Sequence, residues 1–256
     1  MSVVVGHIEA IYRYPVKSMR GQKLNASALG WHGIEGDRRF AFRRLGVPGG
    51  FPWLTAGRMP ALLGFTPQPR EDGNADAPPT HVLTPEGEQM ELMGEALATD
   101  VARRHGHPVE MMQLNHGIFD EAAVSVIAAG TVEQICRMAE VDTDVRRFRP
   151  NILVRTPRNI AFEEDGWVGG VLAFGEGDDA PAVSVTMSDL RCLMVNLDPD
   201  GGPTAPQVMK AAVHANKNNA GVYGAVKGAG RLAVGQAVVL HRESIATAAP
   251  MQQRSA

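Results

Sequence analysis

Cysteine is scarce in this chain. The 256 residues hold 2, Cys136 and Cys192, far apart and in no Cys-x-x-Cys pair. A disulfide framework, a cysteine-rich zinc site and a four-thiolate iron–sulfur cluster therefore lack their ligands. A reaction that moves electrons on this chain needs another group to carry them. An excess of one charge is also missing: 25 basic against 28 acidic residues leave −3, which supplies no global field for nucleic acid or an anionic lipid surface. Any anion site must be local. Long apolar runs are absent as well, since no stretch approaches the roughly 18 residues of a membrane span. The opening MSVVVGHIEAIYRYP has neither the charged start nor the small-residue cleavage site of a signal peptide. The expectation is a cytoplasmic protein with no nucleic-acid and no membrane partner.

What is present is an ordinary apolar share of 44% with 21% charged residues, enough for a sizeable core and too apolar for wholesale disorder. The length suits one large domain or two modest ones. Glycine (28) and proline (17) are enriched without a period, which predicts many turns between short strands rather than a helical bundle.

Along the chain, the β-branched and aromatic residues from Val3 to Tyr14 predict a strand that Pro15 stops, leaving Lys17 and Ser18 in a loop. Arg38 to Arg44 reads as a second strand, with Arg38 on the same face as Phe40 and Phe42; an arginine there needs a carboxylate or a bound anion. Residues 66–80 read as a loop and 94–106 as a helix. Thr131 with Gln134 has capping-box spacing, and Val132, Ile135, Cys136 and Ala139 follow at helical intervals, which buries Cys136. Further strands are expected over 151–155, 170–174, 182–186, 193–197, 221–226 and 231–241, and a helix over 206–215. A boundary falls near 115–120, and 243–256 reads as a frayed tail.

Chemistry can be read at a few places. Arg38, Arg58 and the run Arg146-Arg147-Phe148-Arg149-Pro150-Asn151 put guanidinium groups beside strand ends or turns, where planar permanent donors suit phosphate oxygens; pairing with Asp37, Asp144 and Glu163 is the plain alternative. Lys17-Ser18 taken alone is an ordinary loop dipeptide. Cys192 follows Arg191 at a strand junction rather than on a helix stripe. A neighbouring cation favours thiolate, and a buried structural role is the alternative. Gly228 to Ala233 matches a dinucleotide fingerprint by letter but leads into a strand where a helix would be required. His105 and His107 lack a third ligand for zinc.

Tyr14-Pro15-Val16-Lys17-Ser18, Gly36-Asp37-Arg38, Phe148-Arg149-Pro150-Asn151, Glu164-Asp165-Gly166-Trp167 and Arg191-Cys192 with the downstream Asp198-Pro199, in this order, resemble the MOSC family. The similarity is to its two-part members of the amidoxime-reducing type and reaches to about residue 241. It implies a β-rich α+β fold, with a MOSC-type β-barrel domain over 119–242 preceded by a smaller β-barrel-like N-terminal domain over 1–118. The resemblance further implies a pterin-based molybdenum cofactor with Cys192 as the protein ligand to the metal. Lys17, Ser18 and Arg38 match the positions that hold the pterin phosphate. Arg149 and Asn151 match cofactor contacts, and Arg58 and Arg191 join the expected cofactor-binding set. Asp189 stands where some amidoxime-reducing relatives carry a further cysteine. The implied function is a molybdenum-dependent oxidoreductase that reduces small N-hydroxylated or N-oxide substrates, fed by an external ferredoxin-, flavoprotein- or cytochrome-type donor. The alternative is a carrier of the cofactor, or of a persulfide sulfur, without turnover of its own.

Overall fold

The computed structural model describes residues 2–47, 50–68, 77–177 and 179–242. Its strands, in chain order, are β1 (Ser2–Arg13), β2 (Gln22–Leu24), β3 (Ala26–Gly30), β4 (Gly33–Ile34), β5 (Phe40–Arg44), β6 (Thr66–Gln68), β7 (His81–Leu83), β8 (Gln89–Glu91), β9 (Val109–Gln113), β10 (Val124–Ala128), β11 (Ile152–Arg155), β12 (Val171–Phe174), β13 (Ala182–Leu190), β14 (Asn219–Gly228), β15 (Gly230–Ala233) and β16 (Ala237–His241). The α-helices are α1 (Glu95–His105), α2 (Ala129–Met138) and α3 (Pro206–Asn216), with 3₁₀ turns at Pro60–Gly64, Val145–Arg147, Glu163–Trp167 and Leu193–Asn196.

Strands β11, β10, β14, β13, β12, β16 and β1 lie side by side, and β1 pairs back onto β11, so seven strands close a barrel from which β2 extends. Closure removes the exposed sheet edges that short strands would otherwise present. Within the ring, β10 and β11 are parallel, and parallel neighbours need a crossover, which α2 supplies. The interior is packed with fully buried aliphatic and aromatic side chains, among them Ile8, Ile11, Leu172, Phe174, Val183 and Val238. Each of these contributes roughly 1.5–3 kcal/mol by leaving water. A second apolar layer lies between the outer barrel wall and α2 and α3, and it includes Cys136, as its helical spacing predicts. The third core belongs to the N-terminal half, where Phe40 and Phe42 of β5 pack with Leu97 and Val101 of α1.

The division expected at 118 and 119 falls between β9 and β10. Nevertheless β1, from the N-terminal segment, is a stave of the barrel otherwise built from residues 124–241, and β15 returns to pair with β3. The two halves are interlocked through these strands.

Several local expectations change. Residues 193–197 form a 3₁₀ turn instead of a strand: Val195 N–H donates to the Cys192 carbonyl at 3.3 Å and Leu197 N–H to that of Met194 at 3.0 Å. The segment 231–241 is two strands in different sheets, because Gly235 (φ +89°) reverses the chain and the Gln236 side chain accepts from Ala233 N–H at 2.8 Å. Gly230 opens β15, a strand, as its sequence context requires. Arg38 lies in a turn ahead of β5 rather than on its apolar face, since its N–H donates to the Tyr14 carbonyl at 2.7 Å. Thr131 is not a cap; α2 starts two residues earlier, and the Thr131 hydroxyl donates to Glu164 Oε2 at 2.8 Å while accepting from Phe162 N–H at 2.7 Å. Thr66–Gln68, expected as loop, forms β6; residues 69–76 of that loop and the tail 243–256 lie outside the described residues.

Candidate functional site

A cleft of about 480 Å³ opens where the barrel meets the N-terminal half, within the size range of small-molecule sites. Lys17, Ser18 and Arg38 line it from the N-terminal half; Arg149, Arg191 and Cys192 do so from the other. Six of the eight residues singled out by sequence therefore meet in one cavity although they are spread over more than 170 positions. Asn151 and Arg58 are the two that do not line it.

Backbone geometry at three of these residues is unusual. Ser18 (φ 66°), Arg38 (φ 49°) and Arg149 (φ 49°) occupy the left-handed region, which costs a non-glycine residue roughly 1–2 kcal/mol. Such strain persists where surrounding contacts impose it, and it collects at ligand sites. Here the contacts centre on Tyr14. Its N–H donates to Asp37 Oδ1 at 2.6 Å and its hydroxyl to the Pro150 carbonyl at 3.1 Å, while the guanidiniums of Arg149 and Arg38 lie 4.1 and 4.8 Å from its ring centroid. The Tyr-Pro sequence that ends β1 thus sets an aromatic plate on which both arginines stack.

The cations are satisfied unequally. Arg38 Nη1 pairs with the fully buried Asp37 carboxylate and Nη2 donates to the Arg149 carbonyl at 3.2 Å. The counter-ion that a part-buried Arg38 demands is therefore Asp37 in the first instance. Lys17 Nζ donates to Asp120 Oδ1 at 2.8 Å and to the Ile118 carbonyl at 3.2 Å; burial lowers its pKa below the usual lysine range. Arg149 is different. Nη1 donates to the Met19 carbonyl at 2.8 Å, but Nη2 is buried without a partner among the described residues. Burial, and after it the charge on Arg38, pulls this guanidinium down to about 10. An orphaned buried donor beside two more cations is the environment an anionic ligand would complete.

Cys192 is exposed and caps the Leu193–Asn196 turn, flanked by Leu190 and Leu193, each 67% exposed. Arg191 does not offer its charge to the cleft. Its Nε donates to the Ala220 carbonyl at 2.7 Å, Nη1 to the Phe148 carbonyl at 2.8 Å, and Nη2 pairs with Asp189 at 2.8 Å. Its role is to tie Cys192 to β14 and to the Phe148-Arg149 turn. Gly221 makes room for it: an added Cβ would lie 2.9 Å from the Val126 carbonyl oxygen and 3.0 Å from Arg191 Nη2. Asn151 is likewise committed to structure, accepting from Ser125 N–H at 3.1 Å and donating to the Tyr12 carbonyl at 3.3 Å. Arg58 is exposed. The plain pairings hold for Arg38 with Asp37 and for Arg146 with Asp144, whereas Glu163 pairs with Arg158.

Sequence reasoning passed over Asp120 and Tyr223, which also line the cleft, and noted Asp189, a third lining residue, only as standing where some relatives carry a cysteine. Asp189 is buried, accepts from the Ser125 hydroxyl at 3.2 Å, and has its carboxyl pushed up by burial. The available signal was its spacing from Arg191, which puts acid and base two residues apart at the end of an apolar strand.

Among the described residues no group of three or more His, Cys, Asp or Glu side chains could hold a metal ion. A metal bound to Cys192 would have to arrive within a cofactor that brings most of its own ligands. The exposed thiol, the cation-lined walls and the unpartnered Arg149 donor fit an anionic cofactor of that kind.

A closed β-barrel with a concave, cation-lined cleft at its junction with the N-terminal half defines the class of fold. The MOSC domain model matches residues 102–239, and the MOSC N-terminal beta barrel domain model matches residues 5–124; this chain belongs to the MOSC domain family. Among solved structures, the YUAD protein from Bacillus subtilis is similar in fold, with a TM-score of 0.51 at 13% identity, covering 95% of this chain and 98% of that one. YiiM from Geobacillus stearothermophilus matches with a TM-score of 0.38 at 16% identity, over 49% of this chain and 57% of that one. No curated protein matches the sequence. No helix among the described residues is long and apolar enough to cross a membrane.

Proposed function

We propose that this protein binds the molybdenum cofactor through Cys192 and reduces small N-hydroxylated or N-oxide substrates. The observation that carries the reading is the convergence of an exposed thiol and an unpartnered buried guanidinium, from separate strand ends, on one cleft. Bound there, the cofactor would supply two-electron oxygen-atom chemistry, with soft thiolate suited to the metal. Cys192 would anchor the metal, and Arg149, Arg38, Lys17 and Ser18 would hold the anionic end. Tyr14 and Arg191 keep these groups in place. Removing a hydroxyl from nitrogen as water consumes two electrons and two protons. The electrons come from an external donor protein; Asp189 and the Tyr223 phenol, both facing the cleft, are positioned to handle protons. The apolar rim formed by Leu190 and Leu193 would receive the body of the substrate.

Exposure of Cys192 also supports a carrier that holds cofactor or persulfide sulfur for a client enzyme. The test is turnover of a simple amidoxime by protein from a cofactor-competent host, with an artificial electron donor. Steady reduction is expected. Cofactor-loaded protein that binds the amidoxime without turning it over, while passing cofactor or sulfur to an acceptor, would replace the reductase with the carrier.

A further inference from the structure

A second cavity, of about 160 Å³, adjoins the Cys192 cleft and shares Arg147, Arg149 and Met194 with it. Its other lining residues include Arg20, Lys23 and Arg146, so five cations surround it, and no acidic residue lines it. Tyr12, Tyr14, Leu63 and Leu197 supply the apolar wall.

The carboxylates within reach do not balance these charges. Arg146 pairs with Asp144 at 2.7 Å and with Asp200 at 2.6 Å; Arg20 shares Asp200 at 2.9 Å; Arg147 meets Asp198 at 3.2 Å. Three acids thus serve three of the five bases, and Arg149 and Lys23 have no ion-pair partner among the described residues. The hydrogen-bond inventory points the same way. Four buried guanidinium nitrogens lack a partner among the described residues, and three of them, Arg20 Nε, Arg147 Nε and Arg149 Nη2, belong to this lining. The Arg147 side chain is only 8% exposed. Buried N–H donors are rarely left unpaired, and clustered cations in a partly desolvated pocket repel one another unless an anion joins them.

We infer that this cavity is an oxyanion site that takes a phosphoryl group, held by Arg20, Lys23, Arg147 and Arg149. A tetrahedral oxyanion has acceptors enough for several N–H donors at once, and guanidinium groups suit it in geometry as well as charge. Cys192 does not line this site, although Arg149 belongs both to it and to the cleft of the proposed cofactor. The phosphoryl group is that of a separate phosphorylated molecule, since Arg20, Lys23 and Arg147 Nε lie outside the set that would hold the cofactor.

The experiment is calorimetric titration of inorganic phosphate into the full chain at low ionic strength. Millimolar or tighter binding to one site is expected. Lys23→Gln, at an exposed position, should weaken it about threefold to tenfold, whereas Asp200→Asn, which frees Arg20 and Arg146 from a competing carboxylate, should tighten it by a similar factor. Cys192→Ser should leave it unchanged, so failure of the metal reading and failure of this one give different results. In cofactor-loaded protein retained phosphate binding is expected, and its loss would assign the cavity to the ligand in the cleft and overturn the inference. Absence of phosphate binding, or an affinity unmoved by both Lys23→Gln and Asp200→Asn, overturns the inference.

Discussion

Asp37→Asn tests the claim that the cleft is assembled around a buried carboxylate. Asp37 is 0% exposed at its side chain and Arg38 14%, so the pair is largely shielded from water. The substitution keeps an oxygen for Tyr14 N–H, whose bond to Asp37 Oδ1 is 2.6 Å and worth about 1 kcal/mol. What it removes is the charge opposite Arg38. Leaving one member of a buried pair uncompensated costs about 3–5 kcal/mol. The lower end applies, because Arg38 keeps some solvent, the Arg149 carbonyl and the Tyr14 ring. With a urea m value of ~2–3 kcal/mol/M, a loss of ~3 kcal/mol lowers the unfolding midpoint by about 1 M. Arg38→Met added to Asp37→Asn should recover part of that loss, since no uncompensated charge remains. Far-UV circular dichroism during urea titration reads all three proteins. A midpoint for Asp37→Asn within about 0.2 M of the unmodified protein would refute the idea that this pair organises the cleft.

Glu164, fully buried, accepts from Thr131 Oγ and from Gly221 N–H at 3.1 Å, and burial pushes its carboxyl up to about 7. The folded state thus holds a proton that the unfolded chain releases nearer 4.5. This contribution to stability is fully present below that lower value and is lost as pH rises through about 7, by ~3 kcal/mol in all; urea midpoints should fall between pH 5 and pH 8, and Glu164→Gln should flatten the slope. Alkylation should modify Cys192 in the native protein, whereas Cys136, buried in the layer beneath α2 with its thiol pushed up by burial, should react only after unfolding; mass spectrometry that finds Cys136 labelled first would contradict the burial. Gly221→Ala, at φ +89° against Arg191 Nη2, should cost about 2 kcal/mol or more and disturb the loop carrying Cys192. Unchanged thermal stability would show that the packing there is looser than described.

The parts legible in sequence were those governed by local chemistry. β1 shows itself as a β-branched run cut by Pro15, and α1 and α3 end where their periodic residues end, with Gly106 in a left-handed cap after α1. The motifs shared with the family collected most of the cleft because they stand at strand ends, where a barrel gathers its loops. Long-range bonds were not legible. Arg38 moved off the β5 face because Asp37 and Arg38 both bond to Tyr14, a contact no local pattern contains. Leu193 to Val195 is an apolar run too short to have a period, so strand and 3₁₀ turn look alike. Asp189 has the parity of the buried Val183 and Val185 in β13, but the partners that make a buried carboxylate tolerable there, Arg191 and the Ser125 hydroxyl, come to it only through the fold. The roles of Asn151 and Arg191, which spend their donors on backbone carbonyls, are likewise visible only when β1, β10 and β14 are placed together.

The most direct test of the central claim is the molybdenum and pterin content, per mole of protein, of the unmodified chain and of Cys192→Ser, both purified from a host that makes the cofactor. Metal and pterin should accompany the unmodified protein in near-equal amounts, and Cys192→Ser, still folded, should lose most of its molybdenum. An unmodified protein that carries neither, or a Cys192→Ser variant that keeps its full complement of metal, would contradict it.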